Sequence, residues 1–364
     1  MAKAKGALQF LLSGPGLIGK QHARLIGART DAQLCTVVAP PTEKNIELAS
    51  SFAARFCSDI ETALEEAQID AAIISSPNTF HFDQAMRCIS RGIPVLIEKP
   101  VTDNVADAHR LVEYAESRGV PVLVGHHRTY SPLLSSADSF LKSPRFGQLV
   151  AVQGTALFYK PTKYFTSGPW RTRLGGGPIL INLIHEIGLL RHFCGEIKSV
   201  FAAAGSNVRH FEVEDTVAIT FEFLNGALGN FLLSDSTASS KSWEMTSGEN
   251  PSYPHFPSEY CYHFAGTNGS LDFPNMRARF YAAGPEPSWW NSFEDNPIAF
   301  TPTDPLELQL DHFIEVVRGR ARPKVSARDG YLNIVVLDAI KRSIRARAVV
   351  NLETADYFVL QAAE

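Results

Sequence analysis

A lysine and a histidine carry the chemistry that this sequence suggests. Lys99 follows Glu98 at the end of the short apolar run Pro94 to Ile97, and lysine is almost never fully buried without a partner. A buried strand that ends in lysine delivers an ammonium to the crevice above a parallel sheet, where open α/β folds hold their ligands. There it can stabilise a developing negative charge on oxygen. His185 lies in Gly175-Gly176-Gly177-Pro178-Ile179-Leu180-Ile181-Asn182-Leu183-Ile184-His185-Glu186, where three glycines lead into an apolar helix. Asn182 and His185 are three apart and share a helix face. Imidazole titrates near neutral pH, so His185 can accept a hydroxyl proton. A lone histidine on an apolar helix is more often a satisfied core residue; the strand-end lysine and a nucleotide-binding turn make this one the leading general-base candidate.

That turn is Gly14-Pro15-Gly16-Leu17-Ile18-Gly19, between the apolar run Leu8 to Leu12 and an amphipathic segment from Leu17 to Ala28. The first glycine permits a tight bend, the second lets backbone approach a pyrophosphate, and the third lets helix pack on strand. The helix N-terminus, opened by Leu17 and Ile18, supplies amide donors. A structural glycine turn is the bland alternative, and the flanking strand and helix favour the nucleotide. An acid that binds the adenosine ribose is expected about 20 residues on, but Ala39-Pro40-Pro41 stands there. With no carboxylate to repel it, a 2′-phosphate has Thr42 and Lys44 as partners, although Lys44 also reads as a solvated helix residue. The cofactor is therefore NAD or NADP. Further contacts are expected from Ser76, Pro77, Asn78 and His81 at the end of another apolar run, where Asn78 also fits a helix N-cap, and from Glu98 and Lys99.

The elements that must position these residues follow from periodicity. Leu8 to Leu12, Leu34 to Val38, Ala71 to Ile74, Pro94 to Ile97 and Val120 to Val124 read as strands buried on both faces. Helical patterns separate them at Leu17 to Ala28, Lys44 to Phe56, Asn78 to Ser90 and Asn104 to Arg118. This alternation predicts a Rossmann-like, doubly wound parallel sheet. After about Tyr130, longer alternating runs at Gln148 to Phe158, Thr216 to Phe223 and Ala227 to Ser234 point to an α+β region with an open, mainly antiparallel mixed sheet. Asn225-Gly226 suits a hairpin. The polar, Pro-rich stretch Ser236 to Ser258 reads as a long functional or flexible loop, and helical patterns return at Pro305 to Val317 and Asp329 to Ala346. The expected division is a dinucleotide-binding domain over 1–129 and a substrate-binding and oligomerisation domain over 130–364, the last helices packing back on the first.

Composition excludes several classes. The 364 residues carry 34 Lys+Arg against 38 Asp+Glu, a formal net charge of -4, which leaves no electrostatic footprint for nucleic acid or anionic membrane. Cys35, Cys57, Cys88, Cys194 and Cys261 are odd in number and widely spread, as in a reduced, cytoplasmic chain. Leu8 to Leu12 is too short for a signal core, and no run approaches the roughly 20 apolar residues of a membrane span. His126 and His127 are adjacent, but neighbours on a strand face opposite sides, so no metal is assigned.

The segments GPGLIGKQHA, SSPNTFH, IEKP, GGGPILINLIHEIGLLRHFCG and DAIKRSIRA stand in an order and spacing that resembles the glucose-fructose oxidoreductase and myo-inositol dehydrogenase family, Gfo/Idh/MocA. The resemblance spans nearly the whole chain. It implies a dinucleotide-binding domain followed by an open mixed sheet that often forms a subunit interface, in a homodimer or homotetramer. Lys99 and His185 match the family's catalytic lysine and histidine. The family commonly has an aspartate four residues before that histidine, where this chain has Ile181, with Asn182 one place later. Asn182 is then left to orient a substrate hydroxyl. The implied reaction oxidises a secondary alcohol of a small, weakly charged polyol such as a sugar, cyclitol or cyclic diol, or reduces the ketone. Tyr159, Lys160, Tyr164, Trp170 and Arg171 supply groups that stack on or bind sugars, with Arg128, Asn182 and His185 as further substrate contacts. Two rivals share the resemblance: a non-catalytic dinucleotide sensor, against which Lys99 and His185 argue, and a glycosidase that uses NAD for transient oxidation.

Overall fold

Short leucine-, isoleucine- and valine-rich runs become the strands of a parallel sheet because each is buried on both faces. The computed structural model describes residues 6–284 and 286–352. They fall into two compact units, one running to Tyr130 and adding Pro305–Ile334, the other formed by Ser131–Asp304 and the residues from Val335 on.

In the first unit β1 (Leu8–Ser13), β2 (Ala32–Val38), β3 (Arg55–Cys57), β4 (Ala71–Ile74), β5 (Val95–Glu98) and β6 (Val122–Gly125) pair in the order β3-β2-β1-β4-β5-β6. All pairs are parallel. Helices α1 (Leu17–Gly27), α2 (Glu43–Ser51), α3 (Ile60–Glu66), α4 (His81–Ser90) and α5 (Val105–Arg118) connect them. The strand order reverses beside β1, and the crevice at such a switch point is where these sheets bind ligands. Thr42, Asp59 and Asn104 accept backbone N–H bonds at the N-caps of α2, α3 and α5, which satisfies donors that would otherwise be orphaned.

The predicted helix Lys44 to Phe56 is shorter than its pattern. Phe52 and Phe56 are spaced like a helical stripe, but α2 stops at Ser51, Ala53 turns the chain at φ 51, and Phe56 pairs in β3 with Val37 of β2. Sheet pairing overrides local period here, and α3 follows over residues to which no element was assigned from the sequence.

The second unit is built on a nine-stranded sheet of β7 (Leu149–Leu157), β8 (Ile197–Gly205), β9 (Thr216–Phe223), β10 (Leu228–Ser234), β11 (Tyr262–Gly266), β12 (Gly269–Phe273), β13 (Arg277–Phe280), β14 (Glu294–Pro297) and β15 (Val350–Asn351). Its order is β14-β13-β12-β11-β7-β10-β9-β8-β15, with β7 and β10 parallel and the other pairs antiparallel. Helices α6 (Pro132–Leu141), α7 (Thr162–Thr166), α8 (Ile184–Cys194) and α9 (Trp243–Thr246) belong to this unit. Phe221, Phe223, Phe231, Phe264 and Phe273 line its buried face, and Phe193 of α8 meets Phe264 and Phe273 at centroid distances of 5.2 and 5.4 Å. The β9–β10 hairpin turns through Asn225 and Gly226, the latter at φ 87. The stretch Ser236 to Ser258 is not structureless, since α9 lies within it and buries Trp243.

Of the two later helices, α10 (Pro305–Val317) joins the core of the first unit, where Phe313 meets Phe10 edge-on at 6.1 Å. The other, α11, spans Ala327–Ala346. Among the described residues no helix is long and apolar enough to cross a membrane.

Candidate functional site

In the first unit the site begins at the carboxyl end of β1. Gly14 takes φ 83, and a Cβ there would stand 2.3 Å from the Ser76 backbone; only glycine fits such a turn. Gly19 is equally restricted, since a Cβ there would stand 2.3 Å from the Gly14 carbonyl oxygen. Gly16 differs, because a Cβ there would meet no protein atom within 4 Å. Open space at the second glycine, at the N-cap of α1 and beside exposed Leu17 and half-buried Ile18, is what the approach of a pyrophosphate to backbone requires. The turn is tied to the end of β4 by Ser75, whose hydroxyl donates to the Gly14 carbonyl at 2.7 Å. Gln84 of α4 braces it further, its Oε1 accepting from Ser13 at 2.9 Å and from Ser76 at 2.8 Å. Sequence reading passed over Gln84, which carried no signal beyond being polar on a helix.

Several expected cofactor contacts have other duties. His81 is buried, with Nδ1 2.8 Å from the Pro100 carbonyl and Nε2 2.9 Å from that of Ser76. Burial pushes its pKa below the ordinary value against the pull of those carbonyls, and it acts by holding the Ser76 turn to the Lys99–Pro100 turn. Asn78 makes no side-chain cap, because a 3-10 turn, Asn78–Phe80, precedes α4 and places it inside the turn. Pro77 is exposed beside it, and Ala39 is buried at the end of β2. Thr42 caps α2 through its hydroxyl and Lys44 is exposed on that helix.

Glu98 also turns inward. Its carboxylate lies 2.8 Å from His22 Nε2 of α1, with the two side chains 7% and 0% exposed respectively. Burial alone would raise the Glu98 carboxyl, but the His22 hydrogen bond and charge, followed by His127 and Lys99, hold it below its usual range. Gly125 makes room, since a Cβ there would stand 2.8 Å from the carboxyl group. His127, facing the same carboxylate, is pushed down to about 4 by burial. Glu98 is thus a brace that fixes the end of β5, and half-buried Lys99 follows it directly. His22 was legible in principle. It shares the α1 stripe with Gly19, Ala23 and Ile26, and a histidine among apolar neighbours needs a buried partner. Arg128 is buried in a short 3-10 turn, His127–Tyr130, among the groups internal to the fold.

In the second unit the glycine run enters a π-helical turn, Ile179–Leu183, before α8. Pro178 brings no N–H, Gly177 sits at φ 81, and the Ile179 N–H donates to the Glu214 carboxylate at 2.9 Å. Burial raises the Glu214 carboxyl. Wide π turns often mark functional positions, and this one holds Asn182. Buried His185 follows in the first turn of α8.

Asn182 Oδ1 accepts from Lys160 Nζ at 2.6 Å, and that ammonium stands 3.8 Å from Asp235. Arg209 donates to Asp235 at 2.7 Å and to the Lys160 carbonyl at 2.9 Å. Burial raises the Asp235 carboxyl against both cations. The Tyr164 ring carries Lys160 Nζ at 4.8 Å and the Arg171 guanidinium at 4.0 Å from its centroid, within cation–π range. Lys160, Tyr164, Arg171 and Asn182 are therefore one cluster. Tyr159 and Trp170 stay 60% and 51% exposed at its margin. Arg209, Asp235 and Glu214 were missed in the sequence, where nothing local separates them from surface charges.

The first unit has a turn able to bind a dinucleotide and an ammonium at the end of β5, and the second unit has an imidazole and a cationic aromatic cluster. A family model described as an oxidoreductase family with NAD-binding Rossmann fold matches residues 8–126, and a GFO/IDH/MocA C-terminal domain model matches residues 135–272. The 4-carboxy-2-hydroxymuconate-6-semialdehyde dehydrogenase of Sphingobium is 27% identical over 34% of this chain, an alignment that covers only 40% of that relative. A 1,5-anhydro-D-fructose reductase of Ensifer adhaerens is 22% identical, with 93% of this chain and 98% of the relative covered. The WlbA dehydrogenase of Bordetella pertussis, crystallised with NADH and UDP-GlcNAcA, superposes with a TM-score of 0.79 at 22% identity, covering 95% of this chain and 98% of that one.

Proposed function

The chain belongs to the Gfo/Idh/MocA oxidoreductase family, and from that premise we propose that it transfers a hydride between the nicotinamide of NAD or NADP and a secondary alcohol or ketone of a small polyhydroxylated substrate. The observation that carries this reading is the glycine turn at the β1 switch point, closed by protein at Gly14 and Gly19 and open at Gly16. When bound, the cofactor would supply the hydride acceptor for an alcohol, or the donor for a ketone. In this reading His185 takes the hydroxyl proton, Lys99 stabilises the developing alkoxide and orients the alcohol, and Asn182 holds a substrate group. The roles of Tyr164, Lys160 and Arg171 are to stack on and hydrogen-bond the polyol. The relatives named as a dehydrogenase and an anhydrofructose reductase support the reaction class and a sugar-like substrate.

We further infer a homodimer or homotetramer in the cytoplasm. The outward face of the nine-stranded sheet leaves Phe201, Leu228 and Leu232 exposed among small residues, and none of the five cysteines is in a disulfide, as suits a reducing compartment.

Titration of the protein with NADH and with NADPH, followed by nicotinamide fluorescence, tests the proposal, and a panel of sugars and cyclitols then tests turnover with whichever binds. Binding of one or both with dinucleotide-dependent oxidation upholds it. Failure to bind either sinks it, and release of a sugar without net reduction of the cofactor would favour the glycosidase.

A further inference from the structure

The Lys160–Asn182 contact determines which way an amide faces, and so what the second unit offers a substrate. Lysine has donors and no acceptor, so the atom of Asn182 that meets Nζ at 2.6 Å is its oxygen. The amide nitrogen is then the donor end of half-exposed Asn182. A carboxylate at the position three or four residues before His185 would present acceptors; this chain has an amide there, held by an ammonium. The Tyr164 ring, which carries both Lys160 and Arg171, adds a second cation.

We propose that this cluster is a carboxylate subsite, and that the substrate is a polyhydroxy acid, of the uronic or aldonic class, rather than a neutral polyol. The inference rests on the dehydrogenase reading above and names its substrate class. An ammonium and a neutral amide match one diffuse negative charge with two acceptor oxygens. Asp235, 3.8 Å from Lys160 Nζ, repels any anion held there, and a phosphate ester with nearly two charges more than a carboxylate with one. A neutral polyol could use these donors too, but gains no ionic contribution from them.

The test compares matched pairs, D-glucitol with D-gluconate and D-glucose with D-glucuronate, plus glucose 6-phosphate. Each is assayed for turnover and, by calorimetry, for binding to the protein already loaded with dinucleotide. A hydrogen bond to a charged group corresponds to about 10- to 100-fold in affinity. The acid of each pair should bind about 10-fold or more tightly than its neutral partner. Lys160→Met should erase most of that ratio through KM, with kcat changed little, and Asn182→Asp should reverse the preference. Melting curves and dinucleotide affinity of each variant establish that it is folded. Equal or tighter binding of the neutral partner, tighter binding of the phosphate, or a ratio untouched by either substitution overturns the carboxylate subsite. Absence of any turnover sinks the dehydrogenase reading instead, and the binding ratio still decides the subsite.

Discussion

A methyl group placed on Gly16 would meet no protein atom within 4 Å, whereas on Gly14 it would stand 2.3 Å from the Ser76 backbone. The two positions therefore separate binding from folding. Gly16→Val should keep the melting temperature of the parent and lose dinucleotide affinity by at least about 100-fold, as read by NADH fluorescence; Gly14→Val should lose stability, because a branched side chain at φ 83 is strained as well as crowded. A Gly16→Val variant that still binds tightly would refute the turn as the cofactor site. At this scale the sequence displayed the glycines, Lys99 and His185 plainly, since backbone freedom and residue chemistry are local properties. It did not display the partners. His22 and Glu98 are 76 residues apart, and no local pattern says that their side chains meet.

Elements show the same division. The π turn before α8 begins with an N–H that donates to Glu214, a residue 35 positions away. Because burial raises the Glu214 carboxyl, the fold holds that proton longer than the unfolded chain does. Its stabilising contribution is present at low pH and fades as pH rises through the carboxylate range. Glu214→Gln keeps an acceptor for the Ile179 N–H without the buried charge. It should match the parent in urea unfolding near pH 4 and equal or exceed it near pH 8. Glu214→Ala leaves the N–H unsatisfied and should lose about 1–3 kcal/mol at both. If Gln destabilises as much as Ala at pH 8, the ionised carboxylate is what the turn needs. The predicted strands of the first unit match observed elements because their burial is encoded in uninterrupted apolar runs, and the Pro305 to Val317 helix does so because Leu306, Leu310, Phe313 and Ile314 recur at helical spacing. The helix over Lys44 to Phe56 does not, because β3 exists only by virtue of its pairing with β2.

Across the whole molecule, the outward side of the large sheet forms rows: Phe201, Thr220, Asn230 and Gln153 lie opposite one another, as do Ala203, Ala218, Leu232 and Thr155. The second row, small apart from Leu232, is low beside exposed Phe201, and such a face suits packing against a second sheet. Light scattering should give twice or four times the mass of one chain, and Leu232→Glu, a charge in the middle of that face, should shift the mass toward one chain. A parent that runs as a single chain would remove the oligomer from the proposal. The sequence by itself determined the class of the molecule: the parallel sheet, the mixed sheet, the nucleotide turn and the family, all of which rest on periodicity and short motifs. Only the tertiary structure decided what those residues touch. It turned Glu98 and His81 into braces, gave Thr42 to a helix cap, and set Lys160 against Asn182. The physical reason is that a residue's type and period are written in its neighbours along the chain, whereas the atom its side chain touches is chosen by elements that become neighbours only on folding.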